Sequence, residues 1–152
     1  MAKYYLAYGS NLNKLEMKER CPFSIPIGTT FLEGYRLVFK GTKEASFLTV
    51  EQCEGAKIPV GVYEITSIDE ANLDYYEGYP ILYSKEEVEV SIKGKITSAL
   101  IYVMNPLYSY NLLSTTYLTR CAKGYEDFNI DIQHLIQAIT TTQENIDKLL
   151  TK

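Results

Sequence analysis

Tryptophan is absent from this sequence of 152 residues, which has a single histidine, His134, and only three cysteines. The cysteines, Cys21, Cys53 and Cys121, are widely spaced and form no CxxC pair. This spacing argues against both a disulfide framework and a zinc site. No cluster of His, Asp and Glu has the spacing of metal ligands either. We therefore expect no metal site, and any catalytic histidine would have to be His134.

Long apolar runs and an excess of positive charge are also missing. No stretch of about 18 apolar residues exists, so no membrane-spanning helix is expected. A short apolar run near the N-terminus is interrupted by Gly9, too early for a signal peptide, and we expect a cytoplasmic protein. With 15 Lys and Arg against 19 Asp and Glu, the chain lacks the basic face that nucleic acid requires. We expect neither nucleic-acid nor membrane partners, and the sequence leaves the oligomeric state open.

What is present indicates a folded chain. Hydrophobic residues make up 46% of the sequence and charged residues 22%, which excludes predominant disorder. There is no internal repeat, low-complexity tract or linker. The sequence therefore predicts a single domain over residues 1–152. Its mixture of strand and helix patterns predicts an α+β fold, namely a small mixed β-barrel of about six strands with flanking helices.

Aromatic and β-branched segments predict the strands, and Gly-containing segments predict the turns between them. The predicted strands are KYYLAY at 3–8, TTFLEGYRLVFK at 29–40, ASFLTVEQ at 45–52, KIPVGVYEI at 57–65, KEEVEVSI at 85–92 and ITSALIYVMN at 96–105. Turns are expected at 41–43, at 54–56 and, as part of a hairpin, at 93–95.

Three helical patterns accompany the strands. The segment LNKLEMKER predicts a helix with Ser10 or Asn11 as its N-cap. Ser67 and Glu70 have the spacing of a capping box, which predicts the start of a second helix. Beyond residue 106 the pattern becomes helical, and one apolar stripe lies on Ile132, Leu135, Ile136 and Ile139.

The segment Tyr8-Gly9-Ser10-Asn11-Leu12 is the first candidate site, because a predicted strand ends there and a helix begins. Backbone N–H groups at such a junction lack partners and can hold a carboxylate or an oxyanion. The segment has neither the lysine and further glycines of a phosphate-binding loop nor the two glycines of a nucleophile elbow. The alternative is simply a capped helix start.

Glu77 is the second candidate, in the last turn of the helix that Gly78 and Pro80 must end. The helix dipole disfavours a carboxylate there. Nearby tyrosines at positions 75, 76, 79 and 83 predict partial desolvation, which would raise the pKa of Glu77 towards that of a general base. The alternative is a solvated surface glutamate.

The other reactive side chains have weaker support. Most of the 14 tyrosines fit strands with buried rings and hydrated hydroxyl groups. His134 lies off the apolar stripe, which favours a surface position. Nothing in the sequence places a cysteine beside it as a nucleophile.

Five ordered motifs resemble the γ-glutamylcyclotransferase-like superfamily, and the resemblance runs along essentially the whole chain. They are Y-G-S-N at 8–11, G-Y-R-L-V-F at 34–39, G-V-Y-E-I at 61–65, L-D-x-x-E-G-x-P-x-x-Y at 73–83 and Y-L-x-x-x-x-x-G at 117–124. Each motif alone is weak, but their order and spacing together are specific.

The resemblance implies a compact barrel with a pocket between the Y-G-S-N turn and Glu77. It implies that Glu77 is the general acid/base of a cyclisation, in which the α-amino group of a γ-glutamyl compound attacks its own γ-carbonyl. The products would be 5-oxoproline and the released amine. Backbone donors of Gly9, Ser10, Asn11 and Leu12 would hold the substrate. Tyr8, Tyr83 and Tyr117 would complete the pocket, without cofactor or metal.

Details of the motifs favour the short-loop bacterial branch, because the interval from Glu77 to Tyr83 is short. The proline usual before the late helix is replaced by Leu113-Ser114, and Asn11 departs from the glutathione-specific branch. The sequence leaves open which amine is released, whether the chain is active, and its pathway. Two alternatives remain, a non-catalytic module that binds small molecules and hydrolysis through Ser10.

Overall fold

The protein forms six β-strands and four α-helices in a computed structural model that describes residues 3–112 and 115–151. In chain order the elements are β1 (Lys3–Ala7), a short 3₁₀ turn (Ser10–Leu12), α1 (Lys14–Arg20), β2 (Ile25–Gly41), β3 (Ser46–Ile65), α2 (Ser67–Tyr76), β4 (Tyr83–Ile92), β5 (Lys95–Met104), β6 (Ser109–Tyr110), α3 (Thr115–Asp127) and α4 (Gln133–Leu150). The predicted α+β class is confirmed. Leu113 and Ser114, which replace the proline usual in the family, lie outside the described residues.

The six strands form one mixed sheet in the order β4-β5-β1-β3-β2-β6. The β1–β5 pair is parallel, with Tyr5 opposite Leu100, and the other pairs are antiparallel. The sheet curls until β2 approaches β4, where the Thr30 hydroxyl donates to the backbone oxygen of Ser91 at 2.7 Å. The result is a half-barrel, which confirms the predicted mixed architecture. Within its sheet β1 is an interior strand, with β5 on one side and β3 on the other.

The turn predicted at 54–56 is wrong, because β3 runs without interruption through these residues. Instead, the register with β2 shifts there, since Glu33 pairs with Lys57 while Tyr35 pairs with Gln52. The extra residues are accommodated as an irregularity in one long bent strand. The predicted hairpin between β4 and β5 is confirmed, and it turns through Lys93 and Gly94, which both have positive φ.

The first helix begins later than the sequence predicts. Ser10 and Asn11 belong to the 3₁₀ turn, and the N-cap of α1 is Asn13, whose side chain accepts the N–H of Glu16 at 3.2 Å. The predicted N-cap at Ser10 or Asn11 is therefore wrong. A tight turn between strand and helix leaves the Asn11 side chain available for other contacts.

The start of α2 differs from the prediction by one residue. Thr66 is the N-cap, and its side chain and that of Asp69 bond reciprocally to each other's backbone N–H. The capping box predicted at Ser67 and Glu70 is therefore wrong. Asp69 succeeds because it is buried and also accepts the N–H of Phe23.

Helices α3 and α4 cover the half-barrel. On α4 the buried residues are Leu135, Ala138 and Thr142, so the buried face is rotated from the predicted stripe. Ile132 and Ile136 of that stripe are 39% and 45% exposed. Along the described residues, no helix combines the length and apolar character needed to cross a membrane.

Helix α3 packs directly on the 3₁₀ turn through Gly124. A Cβ atom at this position would lie 2.5 Å from the backbone nitrogen of Asn13 and 2.6 Å from the backbone carbonyl carbon of Leu12. The absence of a side chain therefore permits the close approach of helix and turn.

Candidate active site

A cavity of about 650 Å³, counted with its open mouth, lies where the 3₁₀ turn meets the end of α2. Side chains from segments far apart in the sequence line it: Tyr5, Tyr8, Gly9, Ser10, Asn11, Phe47, Leu48, Tyr76, Glu77, Leu82, Tyr83, Tyr102 and Tyr117. Seven of the predicted site residues are in this lining, namely Tyr8, Gly9, Ser10, Asn11, Glu77, Tyr83 and Tyr117. The two candidate segments therefore face one cavity.

The turn that forms one wall is held by hydrogen bonds from outside it. The Tyr63 hydroxyl donates to the backbone oxygen of Asn11 at 2.8 Å, and the Tyr125 hydroxyl donates to that of Tyr8 at 3.2 Å. Gly9 lies close to the Tyr117 hydroxyl, because a Cβ there would lie 2.6 Å from its oxygen. Among the described residues, the N–H groups of Ser10 and Asn11 have no protein acceptor.

The structure places Leu12 outside the cavity, in contrast to the predicted role of its backbone N–H. That N–H donates to the oxygen of Gly9 at 3.0 Å and closes the 3₁₀ turn. Its side chain is fully buried in the core. We therefore omit Leu12 from the candidate substrate contacts.

Glu77 lines the same cavity and is the C-cap residue that follows α2. Its backbone N–H donates to Leu73 at 2.8 Å, and Gly78 follows with a φ of 64°. The carboxyl group turns into the cavity, where Oε1 accepts the side-chain amide of Asn11 at 3.2 Å. Burial raises the pKa of Glu77 to about 7, against the lowering effects of Arg20 and of the Asn11 hydrogen bond. A carboxyl group with this pKa can accept or donate a proton near neutral pH.

The raised pKa of Glu77 has a cost in stability. Between about pH 4.5 and 7 the unfolded chain releases this proton while the folded chain keeps it, so the free energy of unfolding falls as the pH rises. The variant Glu77→Gln lacks this loss. We expect it to be more stable than the wild type by about 2–3 kcal/mol at pH 8, and nearly equal to it at pH 4.5.

Urea unfolding of both proteins at the two pH values measures this difference. Glu89→Gln, a change at an exposed residue of β4, is the matched control and should show no such dependence. An advantage of Glu77→Gln that is equal at both pH values would contradict the expectation.

Tyrosines form the floor of the cavity, and their hydroxyl groups are bonded to protein atoms. Those of Tyr8 and Tyr83 donate to the backbone oxygens of Tyr102 and Leu48 at 2.7 and 2.8 Å. That of Tyr117 accepts the N–H of Leu48 at 3.2 Å. Burial raises the pKa of Tyr8, Tyr83 and Tyr117, so these three hydroxyl groups are neutral near pH 7.

Not every tyrosine near Glu77 in sequence is near it in space. Tyr75 and Tyr79 are 91% and 41% exposed and do not line the cavity, whereas Tyr76 does. Tyr5 and Tyr102 line it instead, and their rings pack edge to face. No sequence motif indicated them, because they come from neighbouring strands whose parallel pairing the sequence does not reveal.

The remaining nucleophiles lie elsewhere. Burial raises the pKa of the Cys21 and Cys121 thiols to about 12. His134 is half-buried and packs against the Phe31 ring, and neither the cysteines nor His134 line the cavity. Within residues 3–112 and 115–151, no three His, Cys, Asp or Glu side chains are grouped to hold a metal ion.

Solved structures share this half-barrel architecture. A protein described as "Gamma-glutamyl cyclotransferase" superimposes with a TM-score of 0.80 and 21% identity over 91% of this chain and 86% of its own. The uncharacterized protein loc79017 from Homo sapiens superimposes with a TM-score of 0.79 and 23% identity over 90% of this chain and 86% of its own. YkqA from Bacillus subtilis superimposes with a TM-score of 0.75 and 20% identity over 90% of this chain but only 52% of its own. The fold is therefore that of the γ-glutamyl cyclotransferases.

The sequence profile of the family "Gamma-glutamyl cyclotransferase, AIG2-like" matches residues 5–121. A search of curated protein sequences finds no match. Because the profile spans most of the chain, including both walls of the cavity, the protein belongs to the γ-glutamyl cyclotransferase, AIG2-like family.

Proposed function

We propose that this protein cyclises the γ-glutamyl group of a γ-glutamyl amine or peptide to 5-oxoproline and releases the amine. The observation that carries this proposal is the carboxyl group of Glu77, with a pKa of about 7, inside a cavity that Ser10 and Asn11 also line. Cyclisation is the reaction for which such a carboxyl group suffices, because the nucleophile belongs to the substrate. A small-molecule substrate is also what the family supports.

Glu77 acts first as a base and then as an acid. Its carboxylate takes a proton from the substrate's α-amino group, whose lone pair attacks the γ-carbonyl carbon and closes a five-membered ring. The protonated Glu77 then gives its proton to the departing nitrogen as the γ-amide bond breaks. Both steps benefit from a pKa near the working pH, and ring closure within one molecule adds the advantage of proximity.

The backbone of Ser10 and Asn11 supplies donors for the substrate's negative charge. The N–H groups of Ser10 and Asn11, which have no acceptor among the described residues, bind the α-carboxylate or the oxyanion that forms at the γ-carbonyl. Gly9 lets the substrate approach this backbone. Neutral tyrosines at positions 8, 83 and 117 shape the pocket around the glutamyl carbons, and no metal or cofactor takes part in these steps.

The second candidate is a non-catalytic module that binds the same small molecules in this cavity. Hydrolysis through Ser10 is less well supported. The Ser10 hydroxyl lies 3.2 Å from the Tyr76 hydroxyl, and the only histidine is outside the cavity.

One product assay separates the three functions. The protein is incubated with γ-glutamyl dipeptides and γ-glutamylated amines, and 5-oxoproline and free glutamate are measured by mass spectrometry. We expect 5-oxoproline and the released amine in equal amounts. Glutamate as the main product would indicate hydrolysis instead. Ligand binding without either product would indicate the binding module.

A further inference from the structure

Arg20 contacts the candidate catalytic machinery without lining the cavity. It is the last residue of α1, and its side chain is 16% exposed. One guanidinium nitrogen donates to Oδ1 of Asn11 at 2.6 Å and the other to Glu16 at 2.8 Å. Its carbon Cζ lies 3.7 Å from the centre of the Tyr76 ring. Three contacts thus hold the guanidinium beside the turn.

Asn11 links this guanidinium to the carboxyl group. Its side chain is buried, and Nδ2 donates to the Tyr5 hydroxyl at 2.9 Å and to Oε1 of Glu77 at 3.2 Å. A guanidinium has only donors, so it can face only the oxygen of the amide. The bond from Arg20 therefore fixes which end of the Asn11 amide points at Glu77.

The Asn11 amide consequently holds the Glu77 carboxyl group through only one of its two oxygens. Among the described residues, Oε1 of Glu77 receives the Asn11 bond and Oε2 receives none. Oε2 is thus the oxygen that remains for the substrate's proton. If the amide reversed, its Oδ1 would face Oε1, and two acceptors would repel each other at that distance.

The ionisable groups facing Glu77 are mainly tyrosine hydroxyls. They are Tyr5 of β1, Tyr8 after β1, Tyr83 of β4, Tyr102 of β5, together with Tyr76 of α2 and Tyr117 of α3, which line the same cavity. Arg20 is the cation that acts on Glu77. Arg120 lies farther out, on the Tyr76 hydroxyl at 3.0 Å, and Glu16 bridges the two arginines.

From this geometry we infer that Arg20 is a positioning residue for Glu77. It orients the Asn11 amide so that one carboxyl oxygen is anchored and the other stays free, and its charge favours the ionised carboxylate that begins the reaction. Glu16 and the Tyr76 ring hold Arg20 in this position. The inference rests on the proposed function only for its catalytic consequence.

The direct test is a titration of Glu77 by carbon-13 NMR of glutamate carboxyl groups, without substrate, with the signal assigned through Glu77→Gln. We expect Arg20→Met to move the midpoint upward from about 7 by roughly one pH unit or more, since a favourable charge is lost. Arg20→Gln keeps a donor, loses the charge and should move it in the same direction. Arg20→Lys keeps the charge but loses the paired donors and the stacking on the Tyr76 ring, so the midpoint should move upward by less than in Arg20→Met.

A second readout is the pH dependence of kcat/KM for 5-oxoproline formation. In Arg20→Met the rise of kcat/KM with pH should move upward with the NMR midpoint, and kcat at high pH should stay about tenfold below wild type because Asn11 is no longer oriented. A purely structural role would lower activity equally at every pH. Lys18→Met, an exposed change on the same helix with the same loss of charge, should move neither readout.

The outcomes separate this inference from the proposed function. An unmoved Glu77 midpoint in folded Arg20→Met or Arg20→Gln would overturn the role of Arg20, whatever the activity. Absence of 5-oxoproline from the wild-type protein would overturn the proposed function. The NMR titration would still decide the role of Arg20.

Discussion

Replacement of Glu77 by glutamine is expected to reduce 5-oxoproline formation by at least ~10²-fold, since general acid–base catalysis contributes about that much or more. Glutamine has nearly the same shape, and its side-chain oxygen can still accept the Asn11 amide. It cannot take a proton from the substrate's α-amino group. The fall should appear in kcat, while substrate binding by the backbone of Ser10 and Asn11 changes little. Steady-state kinetics with a γ-glutamyl dipeptide measures both.

Two controls make this result specific. Glu89→Gln has the same chemistry at an exposed position of β4 and should keep wild-type kinetics. The circular dichroism spectrum of Glu77→Gln should match that of the wild type. A variant that retains more than a tenth of wild-type kcat would exclude Glu77 as the base and leave the cyclisation without a proton acceptor.

The second large effect is expected at Gly124. In an exposed helix, Gly→Ala stabilises by up to about 1 kcal/mol. Here, however, the new methyl group would lie 2.5 Å from the Asn13 nitrogen and 2.6 Å from the Leu12 carbonyl carbon. Backbone atoms cannot move aside as a flexible side chain does, and overpacking costs about 1–3 kcal/mol or more. We therefore expect net destabilisation of about 2 kcal/mol, opposite to the helix-propensity effect.

Activity should fall further than stability alone explains. The turn that Gly124 touches carries the candidate substrate donors, and a displacement of about 1 Å at such a site can cost about 10²-fold in rate. Thermal unfolding of Gly124→Ala measures the loss of stability, and kcat/KM determined well below its melting temperature measures the loss of activity. Glu126→Ala on the same helix, where the side chain is exposed, is the control. A Gly124→Ala protein more stable than the wild type would contradict the packing argument.

Local sequence signals predicted the types of most elements but not all of their limits. The hairpin at Lys93 and Gly94 was predictable because two neighbouring residues set its backbone. Thr66 and Ser67 are both suitable caps, and only the burial of Asp69 against Phe23 decides between them. Residues 54–56 are a similar case, because a turn and a strand irregularity have the same composition. In both places tertiary contacts determine which structure forms.

The candidate site was predictable where one short segment carries it. The Y-G-S-N turn is predictable as a junction of strand and helix with unpartnered N–H groups, and Glu77 is predictable because a carboxylate in the last turn conflicts with the helix dipole. Tyr5 and Tyr102 did not, since their place depends on which strands pair. The N–H of Leu12, a substrate donor that the resemblance implies, closes the turn instead, since it donates to the oxygen of Gly9. Arg20 carried no sequence signal, since its importance comes from one contact with Asn11.

The interior position of β1 affects how the chain acquires its fold during synthesis. Tyr5 pairs with Tyr63 on one side and with Leu100 on the other, so both neighbours leave the ribosome long after β1 does. Until then its apolar residues Leu6 and Ala7 have no partner strand to cover them. Contacts this distant in sequence slow folding. A nascent chain that stops before β5 should thus remain protease-sensitive, and it should attract chaperones that bind exposed apolar segments.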